Sequence, residues 1–266
     1  MRSKKKTKQG NLNLVVFFFA FVLLLVIGSF LIKTVLYISD SKFDGANNFI
    51  VVFINNNNEE VVSFAPANGS VSILKIDAKI SVQSLLDYLQ VPIDGVVNVN
   101  QEVTDRNISS ILFKSSLPFG GHIQKLTRLD LFRLFVFAKG VPSNSIYLRE
   151  LTNDTTDAQK STLASLTFTN AVIYKENESI QIINASDAFG LGGKLANVIT
   201  NLGGSVVLVS TGDVSANSKI IYYGKKTYTV SKLSDFLGIP AEPTGSRGLA
   251  DVIITIGKDK AKELNF

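Results

Sequence analysis

The sequence predicts a mixed α/β (α+β) protein carried behind one N-terminal transmembrane helix. Three observations predict it. Leu14 to Ile32 is a run of 19 residues without a charge. Residues 49–175 alternate strand-like apolar runs with helical apolar spacings. From Ile180 the order becomes a regular β-α-β-β-α-β over about 80 residues.

As a helix, the run Leu14–Ile32 spans about 28 Å, close to the ~30 Å hydrocarbon core of a bilayer. It is too long for a signal-peptide core, and Lys33-Thr-Val-Leu-Tyr-Ile follows it in place of an Ala-x-Ala-like cleavage site. The expected organisation is a basic cytoplasmic tail at 1–13 and a signal anchor at 14–37. A polar linker follows at 38–48. The formal charge of +5 supports this reading. Arg2, Lys4, Lys5, Lys6, Lys8 and Lys33 stand in the first 33 residues with no acidic partner. The remaining 21 Lys+Arg face 22 Asp+Glu. The basicity is therefore a topology signal that leaves the N-terminus cytoplasmic and the rest extracytoplasmic. A nucleic-acid partner is not expected.

The elements follow in order. Phe49–Ile54, Val61–Phe64 and Val71–Ile76 read as strands, the first two joined across the Asn55–Asn58 tip. Ser81–Leu89 has helical spacing and stops before Pro92. Val96–Val99 reads as a short strand and Ile108–Phe113 as a helix. Gln124–Lys139 has the widest apolar face and ends at Gly140 and Pro142. Thr155–Leu166 reads as a helix, and Val172–Tyr174 as a short strand or linker. Beyond these, Ile180–Asn184, Ser205–Val209, Lys219–Tyr223 and Asp251–Ile256 read as strands. Gly190–Leu202 and Val230–Leu237 read as the helices between them. This order suggests a split βαβ, ferredoxin-like module.

Several chemistries are excluded early. There is no Cys, so there is no disulfide, thiolate metal site or Cys nucleophile. The single His, His122, sits in a Pro-Phe-Gly-Gly-His turn, and no G-x-S-x-G accompanies it. Gly190-Leu-Gly192-Gly193-Lys194-Leu195 is neither a dinucleotide fingerprint nor a P-loop. A polar turn at Asn184-Ala-Ser186, with glycines allowing a sharp helix entry, explains that stretch.

The last third resembles the LytR C-terminal domain family. A strand ending in Asn184-Ala-Ser186 is followed by Gly190-Leu191 and a helix, as in that family's V-x-N-G-T-x-x-x-G-L-A opening. Lys219-Ile-Ile-Tyr-Tyr223, Phe236-Leu-Gly238 and Ala250-Asp-Val-Ile-Ile-Thr-Ile-Gly257-Lys-Asp259 match its later motifs over about 178–260. Residues 49–175 look like a diverged LytR-CpsA-Psr domain, with Leu89–Asn100 fitting its G-I-P-I-D-x-Y-V-x-V-D segment.

The resemblance implies an envelope protein of bacteria, with peptidoglycan or an envelope glycopolymer as ligand. Family enzymes transfer glycopolymer from a polyprenyl-pyrophosphate carrier to peptidoglycan. Here Asp77-Ala78-Lys79 stands where the family has Pro-Arg-Asp, so the bidentate grip of arginine on pyrophosphate is lost. The expectation is a non-catalytic binding or scaffold module without cofactor, not an enzyme. A diverged transferase would use Lys79, Arg128 or Arg133 for substrate, with Mg²⁺. Asn184, Ser186 and Gly190 form a candidate ligand-binding turn in the C-terminal module. A third reading is a module that binds a protein partner.

Overall fold

The computed structural model describes residues 10–55, 58–76, 88–152 and 154–264. The chain divides into two units, Met1–Lys42 and Phe43–Phe266. The first contains one helix, α1 (Gly10–Ser39). Its side chains are described for 15–29, and Val15 to Ile27 all stand exposed. Those 15 residues span about 22 Å of helix. Among the described residues no helix is long and apolar enough to cross a membrane.

The second unit holds two sheets. The first has six strands in the order β5-β4-β1-β2-β3-β6. They are β1 (Phe49–Ile54), β2 (Glu59–Ala65), β3 (Ser70–Ile76), β4 (Gly95–Asn98), β5 (Ile123–Gln124) and β6 (Ile146–Leu151). β1 reads FIVVFI without alternation because both of its faces are covered. On one side Phe49, Val51 and Phe53 pack with Val62, Phe64, Ile73 and the helical residues Leu112, Leu131 and Leu134. On the other, Ile50 and Val52 pack with Val61, Leu74, Phe168, Ile173 and Leu202. The covering helices are α2 (Ile108–Ser116), α3 (Arg128–Gly140), α4 (Asp157–Phe168) and α5 (Ala171–Glu176).

The second sheet has the order β10-β9-β11-β7-β8. Its strands are β7 (Ser179–Asn184), β8 (Ser205–Thr211), β9 (Lys219–Tyr223), β10 (Ala241–Thr244) and β11 (Val252–Ile256). Helices α6 (Leu191–Asn201), α7 (Tyr228–Leu237) and α8 (Lys258–Ala261) accompany it. Ile180, Ile182, Leu195, Ile199, Val230, Leu233 and Ile254 form its core.

The mixed α/β class is as expected, but the ferredoxin-like arrangement is not. In a split βαβ another strand separates the two parallel strands. Here β7 and β8 pair directly and in parallel, and β11 takes the other side of β7. An additional strand, β10, extends the sheet beyond β9. Apart from β10, the order of elements is the predicted one; the pairing differs.

Three element readings also change. Val172–Tyr174 lies in helix α5, because the Asn170 side chain accepts from the amides of Val172 and Ile173 and starts a helical turn. The long helix begins at Arg128, not Gln124. Thr127 and Asp130 form a reciprocal capping box, and Ile123–Gln124 pairs with β4. Strand β6 was absent from the sequence reading. The predicted helix Ser81–Leu89 falls within 77–87 for all but its last two residues, outside the described residues.

The two sheets are joined by more than the chain. Lys232 on α7 forms an ion pair with Asp94 at 2.8 Å, and Asp94 also accepts from the Ile50 amide at 2.9 Å. Asn201 donates to the carbonyls of Leu89 and Gln90. Glu176 receives the Tyr228 and Thr229 amides at the start of α7, where a carboxylate meets the positive end of the helix dipole.

Candidate functional site

Strands β1, β3, β4 and β6 run parallel to one another, since β2 is antiparallel to both β1 and β3. Their carboxyl ends therefore lie along one edge, where open α/β sheets place ligands. Register puts Phe53, Glu60, Lys75 and Glu150 side by side on the face that carries the α2–α3 core. Glu60 is the next inward position after Phe64 and Val62, so the two-residue period of the strand buries it.

Glu60 is fully buried. Asn55 donates to its Oε1 at 3.2 Å, and its Oε2 has no hydrogen-bond partner. Burial, with the nearby Glu102 carboxylate adding to it, pushes the Glu60 carboxyl up to about 7. Lys75 forms an ion pair with Glu102. Its ammonium is held above the usual range, chiefly by that hydrogen bond. Glu59, whose side chain turns to the opposite face, is also raised by burial. The face thus gathers Glu60, Glu102 and Glu150 around Lys75. A carboxyl titrating near neutrality can hold or release a proton there. The set as a whole repels an anionic ligand. Among the described residues no group of three His, Asp or Glu side chains is placed to hold a metal.

Of the residues singled out in the sequence for substrate, the described ones are placed apart. Lys79 lies outside the described residues. Arg128 donates from Nη1 to the carbonyls of Ser115 (2.8 Å) and Leu117 (2.5 Å), and from Nη2 to Gly121 (3.3 Å). Arg133 donates to the Asp44 carbonyl at 3.3 Å. Five residues apart on α3, the two arginines point about 140° apart. In the C-terminal module, Asn184 accepts from the Ser186 amide and hydroxyl and donates to the Ala188 carbonyl. Ser186 Oγ accepts in turn from the Ala188 amide. Gly190 opens α6 at a φ of +79°, a left-handed conformation that L side chains rarely adopt. This turn satisfies its own polar atoms. His122 is exposed on a loop.

Sequence reasoning missed Glu60, Lys75, Glu102 and Asn55. The available signal was Glu60 at a core-facing position of an otherwise apolar strand. A second feature lies at the same edge, beyond β6. A surface pocket lined by Thr152, Thr155, Gln159, Thr162 and Leu163 opens at the start of α4. Asp154 and Ala158 complete its lining, most of whose surface is apolar.

The fold and its edge define a two-sheet mixed α/β protein with a separate N-terminal helix. Residues 177–259 match the protein-family model described as LytR cell envelope-related transcriptional attenuator, and this C-terminal part of the chain is a LytR C-terminal domain. No curated protein matches the chain. Among solved structures, the chain is similar to the crystal structure of B. subtilis TagT, at 12% identity and a TM-score of 0.20. That match covers 84% of this chain and 91% of that one. It is similar to YwtF (TagT), a LytR-CPS2A-psr family protein with bound octaprenyl pyrophosphate lipid, at 10% identity and a TM-score of 0.19 (84% and 90% covered). A transcriptional regulator from Enterococcus faecalis is similar at 7% identity and a TM-score of 0.21 (75% and 91% covered). TM-scores this low carry no weight for architecture or ligand.

Proposed function

We propose that this chain is a membrane-anchored cell-envelope protein whose extracytoplasmic unit binds wall polymer without transferring it. The observation that carries the envelope reading is the family match over 177–259. The anchor reading rests on the uncharged run Leu14–Ile32 with its basic N-terminal flank, and α1 is consistent with it. The middle region, 49–175, is read as a diverged LytR-CpsA-Psr domain on the sequence segments given above.

The non-catalytic part rests on charge. Transfer from a pyrophosphate carrier calls for cations converging on the leaving group. The described edge is instead acidic, and Arg128 and Arg133 bind the protein's own carbonyls. The pocket at the start of α4, mostly apolar with a few hydroxyl and amide groups and the Asp154 carboxylate, suits an uncharged polymer segment better than a phosphate. A transferase reading has one observation in its favour, the near-neutral Glu60 carboxyl, which would serve as a general acid or base.

Co-sedimentation of the full chain in detergent with purified sacculi tests the proposal. Retention is expected, and Gln159→Ala with Thr162→Ala is expected to weaken it. Recovery of the wild-type chain wholly in the supernatant would favour a protein partner instead.

A further inference from the structure

The outer surface of α2 and α3 carries apolar side chains that the fold leaves uncovered. Phe113, Leu117, Phe132 and Val136 are all exposed. Phe113 and Phe132 each lie against Phe135, with ring centroids 5.2 and 6.0 Å apart, so they form one patch. Val136 stands one turn beyond Phe132 on the same helix face. Phe119, in the loop after α2, is 99% exposed. That loop is ordered. Arg128 binds the carbonyls of Ser115, Leu117 and Gly121. Gly120 sits so close to the end of α2 that a Cβ there would meet the Lys114 carbonyl oxygen at 2.1 Å. The Phe119 ring is therefore held in water by a clamped loop.

The charge of this stretch of chain differs from that of the rest of the unit. Phe113 to Lys139 contains Lys114, Lys125, Arg128, Arg133 and Lys139 against one acid, Asp130, which is buried. Lys114, Lys125 and Lys139 are exposed. The Lys139 ammonium lies 5.9 Å from the Phe135 ring centroid, at the border of the patch. Chain connectivity supplies a further constraint. The unit begins on α3: the Phe43 amide donates to Asp130 at 2.9 Å, and Arg133 binds the Asp44 carbonyl. Four residue steps separate Phe43 from Ser39, the last residue of α1, at most about 14 Å of extended chain.

From the aromatic patch, the clamped Phe119, the lysine rim and the short tether, we infer that this face contacts an anionic lipid surface. Phe119 and the Phe113–Phe132–Val136 patch enter the interfacial layer, and Lys114 and Lys139 meet lipid phosphates. The inference rests on the anchor reading proposed above. It adds that the extracytoplasmic unit is held against the bilayer in one orientation.

The absence of native cysteine permits a direct test on the full chain. Single variants Leu24→Cys, Phe119→Cys and Phe189→Cys are labelled with an environment-sensitive fluorophore. They are then reconstituted into nanodiscs of phosphatidylcholine, with or without phosphatidylglycerol and doxyl-bearing lipid. Phe189 is as exposed as Phe119 but belongs to the C-terminal module, so it serves as the reference. The expected result is blue-shifted, lipid-quenched emission at 24 and at 119, and aqueous emission at 189. The 119 signal should depend on phosphatidylglycerol and be lost with Lys114→Glu and Lys139→Glu together. Quenching at 24 with aqueous emission at 119 overturns the inference and leaves the anchor standing. No quenching at 24 overturns the anchor reading, and the inference with it. A shift at 119 that follows protein concentration and resists lipid quenchers would mark self-association and also overturn it. Quenching at 119 that survives both lysine reversals overturns the anionic-lipid assignment.

Discussion

Glu60 shows how one residue sets a pH dependence. Its carboxyl titrates at about 7 in the folded chain, against an ordinary value of 4.5. Between those two values the folded state binds more protons than the unfolded state, so stability falls as pH rises through this window. Glu60→Gln keeps an acceptor for Asn55 and removes the charge. It is expected to stabilise the chain by about 2–3 kcal/mol at pH 8 and by little at pH 4, read as the change in thermal midpoint at each pH. An unchanged pH profile in the variant would mean that another group carries the dependence. Asp130 is a contrasting buried carboxylate. It receives the amides of Phe43 and Thr127 and the Thr127 hydroxyl, so its charge is met by donors. Asp130→Ala strands those donors and is expected to cost about 3 kcal/mol in denaturant unfolding.

At the scale of elements, most helices were legible but their capped starts were not: α3 begins after Thr127 rather than at Gln124, and the turn capped by Asn170 reads in sequence as a strand or linker. Thr127→Ala should cost about 1 kcal/mol by removing one arm of the α3 capping box, and less than Asp130→Ala by the same measurement. Arg128 ties three carbonyls of one loop, so Arg128→Met should speed amide hydrogen exchange at Gly120 and Gly121 and leave the α6 amides unchanged. Exchange unchanged in that loop would remove the clamp from the account. Strands with long apolar runs, such as Phe49–Ile54, announced themselves because both faces are buried. Strand β6 did not, because Tyr147 and Leu148 are exposed at a sheet edge and Arg149 and Glu150 interrupt the pattern. Short strand β10 carries Pro243, a residue that argues against a strand except at an edge, where this one sits.

At the scale of the molecule, the order of elements could be read but the pairing could not. With edge strand β10 left aside, the order βαββαβ fits both a split βαβ and the sheet found here, and only hydrogen-bond partners distinguish them. Likewise Lys79, Arg128 and Arg133 were selected by charge and position, whereas the acidic edge arises from register across β2, β3 and β6. The contact between the two sheets was also invisible in sequence, because Lys232 and Asp94 lie 138 residues apart. Both side chains are mostly buried, so Lys232→Met leaves Asp94 without its partner and should cost about 3 kcal/mol. It should also split unfolding of the two sheets into separate transitions, read by calorimetry. A single unshifted transition would show that the ion pair does not couple them.

Binding without transfer is the central claim. It is tested most directly by incubating the full chain in detergent with a polyprenyl-pyrophosphate glycan, peptidoglycan and Mg²⁺, and following polymer attachment to the wall. The account predicts retention on the wall with no attachment above the protein-free control. Attachment that disappears in Lys79→Ala would contradict it and establish the chain as a transferase.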